Sequence, residues 1–393
     1  MSEAILLPAD EMQAAEIVRS SQRPGAIDII GGDTRCGFGR PRQGAQKLST
    51  AKLSGIVFHE PAEMILRARA GTSMRLIEAA LDAQKQILPF EPMDPRPLWG
   101  TGGESTVGGL VATALSGPRR ISAGAVRDSL VGLRFINGLG EILNSGGRVM
   151  KNVTGLDLVK IQCGGHGTLG LILEATFKLL PRPETEATIV LRRHDDGRAV
   201  EAMSRALGSP YGVSGAATIH AGMGRDFART ALRLEGFAES LAYRVERLQA
   251  LLAEFDPRHV LGPDDSRRLW RSIRDLEFLA EPRERAIWRV SVRPSQGAAL
   301  IAGLGATALA SQLDWGGGLL WIASDATETA ATAIRAATRA LGGHSTLMRA
   351  EDALRERVDV FEPPSPWALA QTHKLKASLD PHGVFNAGRM YRL

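Results

Sequence analysis

The run Thr106-Val107-Gly108-Gly109-Leu110-Val111-Ala112-Thr113-Ala114-Leu115-Ser116-Gly117-Pro118-Arg119-Arg120 combines three features. Ser105–Ser116 reads as a glycine-rich helix start. Gly108 and Gly109 lack a Cβ just where another backbone or a ligand would have to come close. Ala112, Ala114, Ser116 and Gly117 keep the following surface thin, which leaves room for something flat. Arg119 and Arg120 then bring two guanidiniums to the edge of that surface.

Working outward, Ile27–Pro41 reads IDIIGGDTRCGFGRP, a buried strand running into Gly31-Gly32 and the small polar pair Asp33-Thr34. Consecutive small residues let backbone N–H groups converge as an anion-binding nest, although for this stretch alone an ordinary glycine turn is the better explanation. Downstream, Gly146–Ile172 sets Lys151, Asn152, Gly155 and Asp157 ahead of Gly164–Gly170. The hexapeptide Gly165–Gly170 is a literal G-x-G-x-x-G. Ile161–Cys163 reads as a strand before it, but LILEATFKLL after it alternates as a second strand. The helix that a dinucleotide fingerprint must open is missing. Gly303–Ala308, a looser match, falls inside the predicted helix Gln296–Ser311. The end of the chain, Ser378–Tyr391, carries Phe385-Asn386 and Gly388-Arg389 and is expected to pack back onto the first domain.

The composition suits a folded globular protein: 393 residues, 44% hydrophobic, 23% charged and 5% aromatic. At roughly 150 residues per domain, two or three domains are expected. Pro181-Arg182-Pro183 marks the clearest boundary. Before it, short strands and helices alternate. After it, strand–helix–strand–strand–helix runs predict an antiparallel sheet covered on one face by helices. The two cysteines, Cys36 and Cys163, exclude cysteine-ligated zinc and iron–sulfur sites and suit a reducing cytoplasm. The net charge of +5 comes from arginines scattered among acids, which argues against nucleic acid as a partner. No signal peptide is visible at the start. The uncharged run Ser295–Leu313 has too few large side chains to span a membrane.

Taken in order, Ile27–Pro41, Thr106–Arg120, Gly146–Ile172 and Ser378–Tyr391 resemble the vanillyl-alcohol oxidase superfamily, the PCMH-type flavoproteins. Within it, the chain is most similar to the FAD-binding E-subunit family of bacterial glycolate oxidases (glycolate dehydrogenases). The matching residues are Arg69–Met74, Leu88–Pro92, Thr106–Arg120, Gly124–Gly132, Val149–Leu158, Asp314–Ile322, Gly342–Ala350 and Leu379–Tyr391. The resemblance implies an α+β chain, with a PCMH-type FAD-binding domain of two α+β subdomains at 1–183. An α+β cap with an antiparallel sheet follows at 184–350, and a segment returning to the FAD domain at 351–393. It also implies a larger flavin subunit and an iron–sulfur subunit as partners, and a small hydroxy acid as substrate. The cytoplasm is the implied location, and any contact with the inner face of the plasma membrane would be peripheral, through partners.

By the same resemblance, Gly31, Gly32, Asp33, Thr34 and Arg35 form the pyrophosphate loop. Thr106, Val107, Gly108 and Gly109 approach the flavin, and Ser116 and Gly117 continue that wall. Gly165, Gly170 and Ile172 lie near the nucleotide, and Asn386 near the ring. Some relatives tether FAD through a histidine in the first loop. Asp33 stands there in this chain, so non-covalent FAD is expected. Hydroxy-acid dehydrogenases of the superfamily share an H-x-x-x-H-G cap motif, but none of the 8 histidines here is four residues from another, so no metal is expected. Oxidising a 2-hydroxy acid needs a base and a cation for the carboxylate. His220 and His344 are the candidate bases, and Arg119, Arg120 and Arg349 the candidate cations. Two alternatives stand beside this reading: a solitary FAD oxidase or dehydrogenase of a sugar or sugar acid, and a structural or electron-relay flavin subunit without its own substrate site.

Overall fold

The computed structural model describes residues 5–42, 46–147, 156–192, 194–219 and 229–391. His220, Lys151, Asn152 and Gly155 lie outside the described residues. The first helix, Glu11–Ser20, starts where the Asp10 carboxylate accepts the Gln13 N–H at 2.8 Å. Strand Ile27–Ile30 follows and pairs in parallel with Gln46–Ser49. A five-stranded antiparallel sheet comes next, in the spatial order Ile56–Glu60, Ile65–Arg69, Leu171–Lys178, Leu130–Ile136, Ile142–Gly146. Its two central strands are apolar almost throughout because both of their faces are covered. Leu171, Leu173 and Ile136 pack with Ala14, Val18 and Ile27 on one side. Phe135, Ile172 and Ala175 pack with Ile77, Leu110 and Val111 on the other. These two cores lie on opposite faces of the same sheet.

The expected strand at Ile161–Cys163 is part of the helix Leu158–Gln162, whose first turn is capped by Asp157. Three apolar residues carry no period of their own, so the cap decided the local structure. The G-x-G-x-x-G hexapeptide is therefore preceded by a helix and followed by the strand Leu171–Lys178. The absence of a following helix agrees with the sequence reading.

The eight-stranded sheet of the second half is antiparallel, running Pro257–Leu261, Thr185–Leu191, Arg229–Gly236, Val213–Ile219, Ala310–Asp314, Leu319–Ser324, Ala286–Ser291, His344–Arg349. Strand alternation sorts its side chains. Trp288, Val290, Leu320 and Ile322 face the helices. Ile287, Leu319, Trp321 and Met348 face the first half, where they pack on Phe38, Met93, Leu98 and Leu115. The helix predicted over Gln296–Ser311 is shorter: it spans Gly297–Leu304, stops at Gly305 with φ +50°, and gives way to the strand Ala310–Asp314. A run of alanine, glycine and serine offers no large side chains to mark that change of period. The strand Pro257–Leu261 and the helices Pro263–Arg274 and Asp352–Arg357 were not anticipated.

Between the halves, four charges interlock. Arg233 meets Glu91 at 2.7 Å and Glu235 at 3.4 Å, while Arg119 meets Glu235 at 2.7 Å and Glu91 at 3.4 Å. After the helix Pro366–Leu379, the tail returns to the first strand, where Ile27 N–H donates to Val384 O at 3.0 Å and Asn386 N–H to Ile27 O at 2.9 Å. Among the described residues, no helix is long and apolar enough to cross a membrane.

Candidate cofactor site

A cleft enclosing about 820 Å³ opens between the first strand, the Thr106–Thr113 segment, the Gly165–Gly170 turn and the tail. Packing between loops explains the first glycines. A Cβ on Gly31 would stand 2.4 Å from Thr106 Oγ1, and one on Gly32 only 1.7 Å from the Glu104 carbonyl oxygen. Gly109 differs. Its Cβ would meet Arg35 Nη1 and Thr106 Oγ1 at 3.4 Å, ordinary van der Waals contact, so a side chain can start from this position in the cleft wall without a clash. Thr106 caps the helix Val107–Thr113 by accepting the Gly109 N–H at 3.3 Å.

Two buried cations surround the glycine loop without counter-ions. Arg35 donates to Ser105 Oγ at 2.5 Å and to the Met93 carbonyl at 3.4 Å, and its buried Nε has no partner. Arg389 donates to the carbonyls of Arg40 at 2.7 Å and Cys36 at 2.8 Å. Neither forms an ion pair among the described residues, and burial pulls both pKa values down to about 10. A buried cation is costly without an anionic partner, even where carbonyls take its hydrogen bonds. A diphosphate in this cleft would supply the missing charge, with the backbone of the loop as further donors. The residues present thus fit the pyrophosphate of a dinucleotide.

At the other wall, His166 adopts φ +50° and sets its ring edge-on to Phe38 at 4.6 Å and Phe361 at 4.8 Å. Burial and the nearby Arg389 push its pKa down to about 3, so the ring is neutral. Asn386 joins the two sides. Its Nδ2 donates to the His166 carbonyl at 2.7 Å, and its Oδ1 accepts the Ile29 N–H at 2.8 Å.

Residues 2–146 match the FAD binding domain family. Over 368 residues the chain is 37% identical to glycolate oxidase subunit GlcE of Escherichia coli, covering 92% of both proteins. The chain belongs to the GlcE family of glycolate oxidase subunits. It is 26% identical over 206 residues to glycolate oxidase subunit GlcD of Bacillus subtilis, covering 52% of this chain and 42% of that protein. In fold it resembles 4-ethylphenol oxidase from Gulosibacter chungangensis, with a TM-score of 0.73 at 14% identity over 99% of this chain and 89% of that one. It also resembles p-cresol methylhydroxylase, with a TM-score of 0.68 at 13% identity over 98% and 87%. This member of the GlcE family is therefore an FAD-binding oxidoreductase with the PCMH-type α+β fold.

Of the residues singled out in the sequence, Gly31, Gly32, Asp33, Thr34, Arg35, Thr106, Gly108, Gly109, Gly170, Ile172 and Asn386 line the cleft. Four do not. Val107 is buried in the core behind the helix. Gly165 turns back on Gln162, donating to its carbonyl at 3.1 Å. Ser116 accepts the Val126 N–H, and Gly117 lies at the seam, where its carbonyl accepts from Trp315 Nε1 at 3.2 Å. The sequence reading missed Phe38, His166 and Arg389 as lining residues, although all three stand inside the stretches it quoted. Asp33 is ion-paired to Arg42.

The catalytic candidates fare differently. Arg119 is engaged by Glu235 and Glu91, which leaves no free fork for a substrate. Arg349 is spent on carbonyls, donating to Ala280 at 2.6 Å, Leu98 at 2.9 Å and Pro282 at 3.0 Å. Both hold the two halves together. Arg120 and His344 remain open to solvent. Partial burial and the neighbouring Arg289 lower the His344 pKa. Among the described residues, no cluster of histidine, cysteine or acidic side chains could hold a metal.

Proposed function

We propose that this chain is the FAD-binding subunit of a complex that oxidises glycolate to glyoxylate and passes electrons to an iron–sulfur partner. A larger flavin subunit completes the complex. The observation that carries this reading is the cleft itself: two buried arginines without counter-ions around a glycine loop, in a chain similar along nearly its whole length to GlcE. FAD bound there supplies a two-electron acceptor. Residues 1–183 form the FAD-binding domain, 184–350 the cap and 351–393 the returning tail. The cofactor is held without a covalent bond, by Arg35, the loop of Gly31 to Thr34, and the wall of Thr106, Gly108 and Gly109. We place the complex in the cytoplasm, in keeping with two free cysteines, with any membrane contact made by its partners.

The electron-relay alternative has one observation in its favour. Among the described residues, every one that lines the cleft comes from outside 184–350. The cap sheet meets the first half through a filled apolar seam that includes Phe38. Among the described residues the cap thus adds no wall to the cleft, and the histidine pair of the hydroxy-acid dehydrogenases is missing. The isolated subunit should therefore turn over glycolate poorly. Dye-linked glycolate oxidation, measured on the purified chain alone and with the larger flavin and iron–sulfur subunits, tests both readings. Activity that needs the partners supports the complex. Full activity of the chain alone overturns the dependence, and reduction by a sugar instead points to a solitary oxidase.

A further inference from the structure

Outside the cleft, the seam gathers a second group of cations. Arg120 opens the short helix Arg120–Ala123, and Arg289 stands in the cap strand Ala286–Ser291. Trp288 and Val290 face the cap helices, so Arg289 faces the opposite way, toward the first half. The two guanidinium carbons lie 4.3 Å and 5.2 Å from the centre of the Trp315 ring. The ring and the backbone of that tryptophan are each held by one hydrogen bond. Its Nε1 donates to the Gly117 carbonyl at 3.2 Å, and the Trp315 N–H donates to Asp314 Oδ1 at 2.7 Å. Contact with the ring face favours each cation but does nothing for their mutual repulsion. Burial and the charge of Arg120 bring Arg289 down to about 10.

The other arginines of the seam show what is missing. Arg233 and Arg119 hold carboxylates, and Arg349 is wrapped by carbonyls. Among the described residues, the side chains of Arg120 and Arg289 form neither an ion pair nor a hydrogen bond. The nearby acids are occupied elsewhere: Asp128 accepts the Ala125 N–H at 2.8 Å, and Glu362 is paired to Arg335 at 2.9 Å and Arg339 at 2.5 Å. His344 pairs with Ser291, two residues along the strand from Arg289, and brings a third donor to the same side. Two unpaired guanidiniums over a rigid apolar shelf, open to solvent at Arg120, match a small planar anion.

We propose that Arg120 and Arg289, set on Trp315, bind the carboxylate of a small hydroxy or oxo acid. The choice of acid rests on the reading of the chain as a glycolate oxidase subunit. The anion site rests on the geometry alone, and binding rather than chemistry is what it claims. Isothermal titration of the FAD-loaded protein with oxalate tests it, since FAD keeps oxalate out of the phosphate loop. Saturable binding is expected, weakened at least tenfold in Arg289→Met and again in the solvent-exposed Arg120→Met. An absence of binding to the wild-type protein overturns the site, as does wild-type affinity in both variants. Phosphate competing as strongly as oxalate overturns the carboxylate assignment. If only an acidic segment of a partner subunit binds, the site is a docking contact and the proposal fails. FAD content is measured on the same samples, so a failure of the cofactor reading is seen separately.

Discussion

The side-chain carbonyl of Asn386 accepts the backbone N–H of Ile29 at 2.8 Å, so the end of the chain completes the wall that the first strand begins. The same amide donates to His166, which makes one side chain the clasp between the strand, the Gly165–Gly170 turn and the tail. Replacing it tests whether the tail is part of the site. In Asn386→Ala, an N–H and a carbonyl lose their partner, and each such loss costs about 1–3 kcal/mol when the group stays dry. The melting temperature should fall and FAD should be held more weakly. Unchanged stability and FAD affinity would mean that the tail merely rests on the domain.

Gly32→Val should damage the loop itself rather than only exclude the cofactor. A Cβ there would lie 1.7 Å from the Glu104 carbonyl oxygen, which belongs to backbone and cannot swing away. The expected result is a lower melting temperature in the apo-protein as well as lost FAD. Full apo-protein stability would show that the loop can move aside.

The charge cluster of the seam predicts an asymmetric response. Burial alone would raise the Glu91 pKa, but Arg233 and Arg119 outweigh it and hold Glu91 well below the usual carboxylate range. Removing one partner of such a pair costs about 3–5 kcal/mol because the other charge stays buried. Arg233→Met should therefore lose about that much in chemical denaturation, and the double variant Arg233→Met with Glu91→Gln should recover part of it. Additive losses in the two variants would contradict the coupling.

Asp314 gives a pH dependence of the opposite kind. Burial raises its pKa to about 7, against the opposing effect of the Trp315 backbone N–H, which donates to its carboxylate. In the unfolded chain it titrates near the ordinary value of 3.8. Between those values the folded state binds the extra proton, so this group's contribution is fully present below about pH 4 and is lost as pH rises through about 7. Asp314→Asn keeps an acceptor for Trp315 but carries no charge. It should raise the melting temperature above pH 7 and change it little near pH 4. A variant that is less stable than wild type at pH 8 would contradict this assignment.

Most of the fold was legible because its signals are local. Asp10, Ser73 and Thr106 cap the helices they precede. The alternation in Leu171–Lys178 announced a strand despite the misleading hexapeptide before it. The reading failed where side chains are small or segments short, as at Ala310–Asp314 and Leu158–Gln162. The glycine loop and Asn386 were visible as motifs. The fates of Arg119 and Arg349 were not, because Glu235 and the carbonyls of Leu98 and Ala280 meet them only through the tertiary fold. Trp99 and Trp321, which could have marked a partner surface, are instead part of the internal seam, while Phe237 and Trp367 are each 74% exposed.

The central claim is that the cleft beside Gly109 holds FAD without a covalent bond. It is tested most directly by the flavin released per chain into the supernatant after acid precipitation, measured for the wild type and for Gly109→Leu. The Cβ of the leucine meets nothing closer than 3.4 Å, so the variant can fold, while the rest of its side chain projects into the cleft. The account predicts about one FAD per wild-type chain, all of it in the supernatant, and at least a tenfold loss of FAD affinity in the variant, about 1.4 kcal/mol or more, with its circular dichroism unchanged. Flavin that stays with the precipitated wild-type chain, or a Gly109→Leu protein that binds FAD as tightly as the wild type, would contradict it.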